Sequence, residues 1–237
     1  MNLNETYFEK VDRSRKKVSF KIARFLVKLL YHKPKMIFLG EKFNDGPFLF
    51  LINHCGTKTP PKIECYFERD FYMWGTYEMT QGLKAVHHYL VHTFYHQKKK
   101  WPLFFAALVG TIFSPFAYMF YQGMRIIPTY HDSRFLSSIK NSLRVLNDNK
   151  VIVIYPEDSN DGYKDKIEKF FNGYLTLCDI AKRKGLDLPI YVAYYNRKKN
   201  KIIIDNPVYY SSLCNTYSNQ DEISEVLRNK MNDLINI

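Results

Sequence analysis

The sequence has few cysteines, and their spacing is not that of a metal or redox motif. Four cysteines occur in 237 residues, and none belongs to a C-x-x-C pair, the spacing typical of zinc and disulfide-exchange sites. Residues 1–17 are polar and charged, which does not fit the apolar stretch of a secretory signal peptide. These absences predict free thiols and a reducing, cytoplasmic setting.

Acidic residues are also underrepresented. Asp and Glu total 23 against 35 Lys and Arg, which gives a formal net charge of +12. The excess favours polyanionic partners such as anionic lipid, nucleic acid or phosphorylated small molecules. Nucleic acid is the weakest of these, because no RNP or GXXG motif is visible. The 19 tyrosines suit a surface that is apolar on one side and wet on the other, as at a membrane interface.

Only one long stretch lacks charge altogether, at residues 101–121, between Lys100 and Arg125. Its length is close to the roughly 20 residues that cross a hydrocarbon core. Pro115 predicts a break into two short helices, partly buried in the protein and partly in a membrane face. A single span is the alternative.

Residues 13–35 combine helical apolar spacing with many basic side chains. The pattern predicts an amphipathic helix lying flat on anionic lipid, or else a helix that packs its apolar stripe on the domain. The stripe consists of Val18, Ile22, Phe25, Leu26 and Leu29. We expect residues 1–35 to form this basic segment and residues 36–237 to form one α/β domain.

The rest of the chain alternates between strand and helix patterns. Residues 47–52 and 151–155 are short apolar runs typical of buried strands, and residues 188–195 and 202–205 predict a hairpin. Helical periodicity appears at residues 134–150 and 221–234. A further helix is expected to bury a set of residues and to end at Gly185: Ile167, Phe170, Phe171, Tyr174 and Leu177. The fold class predicted is α/β, with a mixed, largely parallel central sheet flanked by helices.

Two polar loops follow the predicted strands. Asn53 and His54 come after the first strand, and residues 156–159 come after the second. Ligands in open α/β sheets bind outside the carboxyl ends of the strands, so both loops are candidate site loops. His54 is a candidate general base or a loop histidine that only forms hydrogen bonds. The second loop could offer backbone N–H groups to a phosphate at a helix start, or be a capped helix start.

The succession FLFLINH, VIVIYPEDS and LPIYVAYY resembles the glycerolipid acyltransferase superfamily, which includes lysophosphatidic acid and glycerol-3-phosphate acyltransferases. The resemblance covers most of the chain from about Pro47 to Tyr210 and implies that fold. It implies that His54 removes a proton from an acceptor hydroxyl, which attacks an acyl thioester, with no cofactor beyond acyl-CoA or acyl carrier protein as co-substrate. The acceptor would be a glycerophospholipid precursor at the cytoplasmic face of a membrane, where the protein is peripheral or partly embedded.

The same resemblance nominates the site residues. The catalytic group would be His54, Asn53 and Thr59. The acceptor-binding group would be Gly123, Arg125, Arg134, Pro156, Glu157, Asp158 and Ser159. Phosphate is expected to meet Arg125 or Arg134 and the loop after Glu157.

Several positions depart from the family pattern. Thr59 stands where the family has the Asp of its His-x4-Asp motif, and Thr129 stands at the usual Arg. Asp158 and Ser159 replace a Gly and a Thr. A carboxylate from elsewhere could orient His54, with Glu64, Asp70 and Asp158 as candidates. The alternative is a non-catalytic, lipid-binding relative.

His88, His92 and His96 recur at every fourth residue, a spacing that lines one helix face. A zinc site is the sharper interpretation, but three ligands two turns apart cannot reach one ion from a straight helix. We therefore expect no metal and favour a cationic helix that faces an interface.

Overall fold

The computed structural model describes residues 7–56 and 58–237, so the first six residues of the predicted basic segment lie outside the described part. The strands are β1 Lys35–Phe38, β2 Leu49–Ile52, β3 Phe71–Thr76, β4 Ile126–Thr129, β5 Val151–Ile154, β6 Pro189–Asn196, β7 Lys201–Ile204 and β8 Val208–Tyr209. The α-helices are α1 Tyr7–Lys16, α2 Val18–Leu30, α3 Thr59–Tyr66, α4 Leu83–His88, α5 Leu103–Gly123, α6 Phe135–Asn147, α7 Gly173–Arg183, α8 Tyr210–Thr216 and α9 Gln220–Asp233. A π-helix, Tyr89–Lys98, joins α4 to the segment before α5.

One sheet contains the described strands, in the order β1-β7-β6-β2-β5-β3-β4, with β8 pairing β6. Strands β6, β2, β5, β3 and β4 run parallel. β7 and β8 run antiparallel to β6, and β1 is parallel to β7. The predicted mixed, largely parallel sheet is therefore confirmed, as are the hairpin and the two buried strands.

Alternating side chains of the central strand enter two different cores. Leu49 and Leu51 of β2 pack toward α6, α7, α8 and α9. Phe50 and Ile52 face the opposite way, toward α2, α3 and α5. This period of two is what a strand imposes when both of its faces are covered. The sheet is thus the middle layer between two layers of helices, and its carboxyl edge is where a ligand site is expected.

The N-terminal amphipathic pattern forms two helices, α1 and α2, that meet at Lys17. The predicted apolar stripe of α2 is not packed on the domain, because each of its residues is at least 40% exposed. Phe20, Ala23 and Val27 form the buried face instead. The stripe-inward alternative is therefore wrong, and the helix presents an apolar surface to solvent.

The uncharged stretch is one continuous helix, and the predicted break at Pro115 is wrong. Proline removes one backbone hydrogen bond and costs about 3 kcal/mol, which the packing of both halves of α5 against the π-helix and α2 offsets. At Gly110 the contact is close, because an added Cβ would lie 2.5 Å from Val91 Cγ2. By length and composition α5 could cross a membrane, and 22% of its most apolar window is buried.

Two helical predictions need smaller corrections. α7 begins only at Gly173, so Ile167 and Phe170 reach the core from an irregular segment. That segment pairs with the loop after β5, since Phe171 N donates to the Pro156 carbonyl at 2.7 Å. In α6, Leu136 is 67% exposed, because the buried face runs through Ile139, Ser142 and Leu146.

Candidate active site

Parallel pairing of β2 with β5 brings the two predicted loops together. The backbone N–H of His54 donates to Glu157 Oε1 at 2.9 Å. His54 lies two residues after β2 and Glu157 three residues after β5, so both lie at the carboxyl edge of the sheet. This is the edge at which open α/β sheets bind ligands.

Asn53 anchors the first loop. Its Oδ1 accepts from the backbone N–H of Tyr195 at 2.6 Å, and its Nδ2 donates to the Tyr195 carbonyl at 3.3 Å. The side chain is 2% exposed and does not line the cavity described below. Asn53 thus extends the contact between β2 and β6 beyond Ile52 and fixes the backbone position of the residue before His54.

The His54 ring is held between two tyrosines. Its centroid lies 4.9 Å from that of Tyr163, nearly parallel to it, and 5.0 Å from that of Tyr155. Nδ1 is buried and has no hydrogen-bond partner among the described residues. Burial, and then the charge of Lys98, lower the pKa of the imidazole to about 3. His54 is therefore neutral near pH 7, and its protonated form is strongly disfavoured.

Thr59 does not replace the missing carboxylate with a hydrogen bond. It is fully buried at the start of α3, and its Oγ1, like His54 Nδ1, has no partner in the described part of the chain. The proline-containing first turn of α3, with Pro60 and Pro61, holds Thr59 there. Tyrosine packing is thus what orients the imidazole in this structure.

None of the three carboxylates proposed from the sequence bonds to His54. Glu64 is buried and pairs with Arg15 at 2.8 Å. Asp70 pairs with Arg125 at the amino end of β3, on the far edge of the sheet. Asp158 caps its own loop, since its Oδ1 accepts from the backbone N–H of Asn160 at 3.1 Å. These predicted roles are therefore wrong for the structure as it stands.

Glu157 is the carboxyl group bound to the His54 loop. It is 8% exposed, and burial raises its pKa from 4.5 to about 7, against the lowering effects of the His54 N–H and Lys98. An isolated β-bridge with Phe170 holds its backbone. Pro156 beside it is buried and lines the cavity.

Lys98 is a site residue that the sequence analysis did not select. It ends the π-helix, and its Nζ donates to Ser159 Oγ at 2.8 Å. Burial lowers its pKa, while the charge of Glu157 opposes the effect. The basic run at residues 98–100 was a signal, but nothing in it shows that Lys98 turns toward His54.

Two of the residues predicted to bind the acceptor, Gly123 and Arg125, lie away from this site. Arg125 precedes β4, so it sits at the amino edge, where it pairs with Asp12 and Asp70. Gly123 packs against Phe20, and an added Cβ would lie 2.2 Å from that ring. Both predicted contacts with acceptor are therefore wrong.

Thr129 and Arg134 lie at the carboxyl edge of the sheet, the edge that also carries His54. Thr129 ends β4 and lines the cavity, with its hydroxyl donating to the Gly75 carbonyl at 3.0 Å. Arg134 is exposed, pairs with Asp132 at 2.7 Å and stacks 4.5 Å from the Tyr130 ring centroid. Because Asp132 and Tyr130 both line the cavity, Arg134 stands beside its rim.

A cavity of about 890 Å³ connects these residues. Its polar end contains His54, Lys98, Glu157 and Ser159, and its walls are largely apolar or aromatic. The walls come from α2, the π-helix and α5, and include Leu30, Leu90, Phe94, Phe113 and Phe120. A volume of this size accommodates a ligand as large as a lipid precursor.

The three regularly spaced histidines are separate from this cavity. His88, His92 and His96 are exposed, with the first two rings 4.6 Å apart. No group of three metal-ligating side chains occurs among the described residues. The helix that carries them is α-helical to His88 and π-helical beyond it, which departs from the straight α-helix assumed.

No protein-family model and no curated protein matches the chain. Among solved structures it is similar to the 1-acyl-sn-glycerophosphate (LPA) acyltransferase PlsC from Thermotoga maritima. The identity is 14%, the match covers 94% of this chain and 80% of that one, and the TM-score is 0.49. The chemistry of the site therefore has to be inferred from its own residues.

Proposed function

We propose that this protein is an acyltransferase that moves a fatty acyl group from a thioester to a hydroxyl of a glycerophospholipid precursor. The observation that carries the proposal is His54, placed after the central strand in the wall of a large, mainly apolar cavity. Such a cavity can hold an acyl chain beside a histidine that is neutral near pH 7, the protonation state that a general base requires.

In the proposed reaction the acceptor oxygen attacks the thioester carbonyl while its proton passes to His54. The tetrahedral intermediate then collapses, the C–S bond breaks and the imidazolium returns the proton to the departing sulfur. Acyl-CoA or acyl carrier protein would supply the thioester. Because burial opposes protonation of His54, we propose that Glu157, whose carboxyl group accepts from the His54 backbone N–H, compensates the transient charge in its ionised form.

Acyl transfer is tested by incubating the full chain with labelled acyl-CoA or acyl carrier protein and with lysophosphatidic acid or glycerol 3-phosphate. Removal of a general base costs about 10²- to 10⁴-fold. We therefore expect His54→Ala to lower kcat by a factor in this range. His96 is an exposed histidine of the neighbouring π-helix, and His96→Ala should keep full activity. Equal activity of wild type and His54→Ala would contradict the role of His54.

We also propose that α2 and α5 dock on an anionic membrane surface at the cytoplasmic face. The two helices pack together, and their outer faces carry large exposed apolar side chains. Leu30 and Phe113 belong both to this apolar surface and to the cavity wall, so a lipid could pass from one to the other. Lys21 and Lys28 of α2 supply positive charge beside the apolar stripe.

Membrane docking can be tested with two matched substitutions. Ile112 on α5 is 65% exposed, and Leu136 on α6 is 67% exposed but lies on the other side of the sheet. We expect Ile112→Glu to weaken binding to phosphatidylglycerol-containing vesicles and Leu136→Glu to leave it unchanged, because only the first places a charge in the apolar surface. Equal binding of both variants would refute the assignment of this surface.

One observation favours a second function, that of a lipid-binding protein without turnover. His54 Nδ1 has no partner in the described structure, and its low pKa makes it a weak base. In that case wild type and His54→Ala would bind lysophospholipid equally, and neither would transfer an acyl group from any donor. The transfer assay thus separates the two functions.

A further inference from the structure

Lys98 is a cation in the cavity wall that forms no salt bridge within 4 Å among the described residues, although the charges of Glu157, Asp158 and Glu78 act on it. Its Nζ bonds to the Ser159 hydroxyl at 2.8 Å and lies 5.5 Å from the Tyr163 ring centroid. An ammonium group has three donors, and one of them is used here. His54, Glu157 and Ser159 line the same cavity.

The position of Lys98 is fixed by contact between backbones. Gly162 has φ +100°, and an added Cβ there would lie 3.0 Å from the Lys98 carbonyl oxygen. The loop after Glu157 therefore touches the end of the π-helix directly. The hydrogen bond from Nζ to Ser159 Oγ then places the ammonium group against the same loop.

The neighbouring lysines do different things. Lys99 lies over a cluster of aromatic rings, at 5.1 Å from the Phe94 centroid and 5.5 Å from that of Trp101. Lys100 is exposed and does not line the cavity. Of the three, only Lys98 combines access to the cavity with a hydrogen bond to the loop that follows β5.

We propose that Lys98 and Ser159 form a subsite that binds a phosphate group of the substrate beside His54. The two residues offer an ammonium and a hydroxyl, the donor types that bind phosphate. Of the arginines predicted for this task, Arg125 lies at the opposite edge and Arg134 is paired with Asp132. This inference deepens the proposed function and rests on it for the identity of the substrate, but not for the binding itself.

Binding is the first readout, because it does not require turnover. The full chain in detergent micelles is titrated with oleoyl lysophosphatidic acid and with mono-oleoylglycerol, which lacks the phosphate. Lys98→Met removes the charge and keeps the shape of the stem, and Lys100→Met is the matched control. Loss of a charge-assisted bond predicts about 10- to 100-fold weaker binding of lysophosphatidic acid to Lys98→Met, with mono-oleoylglycerol unaffected.

Kinetics then identify the source of the phosphate. A higher KM for lysophosphatidic acid alone assigns the subsite to the acceptor, and a higher KM for acyl-CoA alone assigns it to the donor. Phosphate-dependent binding that is lost in Lys98→Met supports the subsite even in a chain without turnover, where the proposed function has failed. The subsite is refuted when Lys98→Met binds lysophosphatidic acid as tightly as wild type, or when Lys100→Met weakens binding equally.

Discussion

Ionisation of Glu157 should be visible in the stability of the whole protein. Burial raises its pKa from 4.5 to about 7 in the folded state, so the folded chain holds this proton more tightly than the unfolded chain. The resulting stabilisation is fully present below pH 4.5 and is lost as the pH rises to 7. At about 1.4 kcal/mol per pH unit, that interval amounts to roughly 3 kcal/mol.

The perturbation is Glu157→Gln, which keeps an oxygen for the His54 N–H but cannot ionise. Urea unfolding at pH 5 and pH 8 gives the free energy of unfolding of each protein. We expect the free energy of unfolding to fall between pH 5 and pH 8 by about 2–3 kcal/mol more in wild type than in the variant. His54, whose pKa is lowered to about 3, destabilises both proteins alike as the pH falls below 6.5, so its effect cancels in the difference.

Glu168→Gln is the control for this comparison. Glu168 follows in the same irregular segment, but its side chain is 68% exposed and pairs only with Lys164. Its substitution should leave the pH dependence of stability as in wild type. If Glu157→Gln also retains the wild-type dependence, burial does not hold the proton on Glu157, and the account of the site's charge is wrong.

Three further outcomes follow from packing and charge. His54 should show no titration by NMR between pH 5 and 8, because burial lowers its pKa to about 3, and a midpoint near 6.5 would contradict that burial. Gly110→Ala should lower the free energy of unfolding by about 1–3 kcal/mol, since the new Cβ meets Val91; an unchanged urea midpoint would show that the helices move apart freely. Arg15→Met should lower the free energy of unfolding by about 3–5 kcal/mol, because it leaves the buried Glu64 carboxylate poorly paired. The double variant with Glu64→Gln should recover part of this loss, and no recovery would mean that Arg15 stabilises the protein by packing.

The buried strands of the central sheet, and the positions of His54 and Glu157 after two of them, were predictable because the pattern is local. Buried strands are short apolar runs, and a polar residue just after such a run lies at its carboxyl end. That β2 pairs directly with β5 was not predictable, since strand order depends on long-range packing. The pairing is what turns two separate loops into one site.

Arg125 and Asp70 were misplaced although the sequence held the necessary signal. Each comes just before a strand, so each lies at the amino edge, opposite to residues that follow a strand. Lys98 could not be placed, because the segment Tyr89–Lys98 shows no clear amphipathic pattern and the side chain is positioned by a long-range hydrogen bond to Ser159. Pro115 predicts a break in the helix because of its local cost alone, and the contacts of α5 with the π-helix and α2 that offset this cost cannot be read from the local sequence.

α1 docks on residues that follow it in the sequence by more than 100 positions, and this separation affects the order in which the fold can form. Tyr7 bonds to the Ile126 carbonyl and Arg15 to the Gly123 carbonyl, at sequence separations of 119 and 108. At about 5–20 residues per second, synthesis of that intervening length takes roughly 5–20 s. α1 has ten residues, too few for a stable isolated helix, so its sequence is made seconds before the residues on which its docking depends. The exposed stripe of α2 is thus synthesised before α5, the helix beside which it lies, and before the cavity that these two helices border.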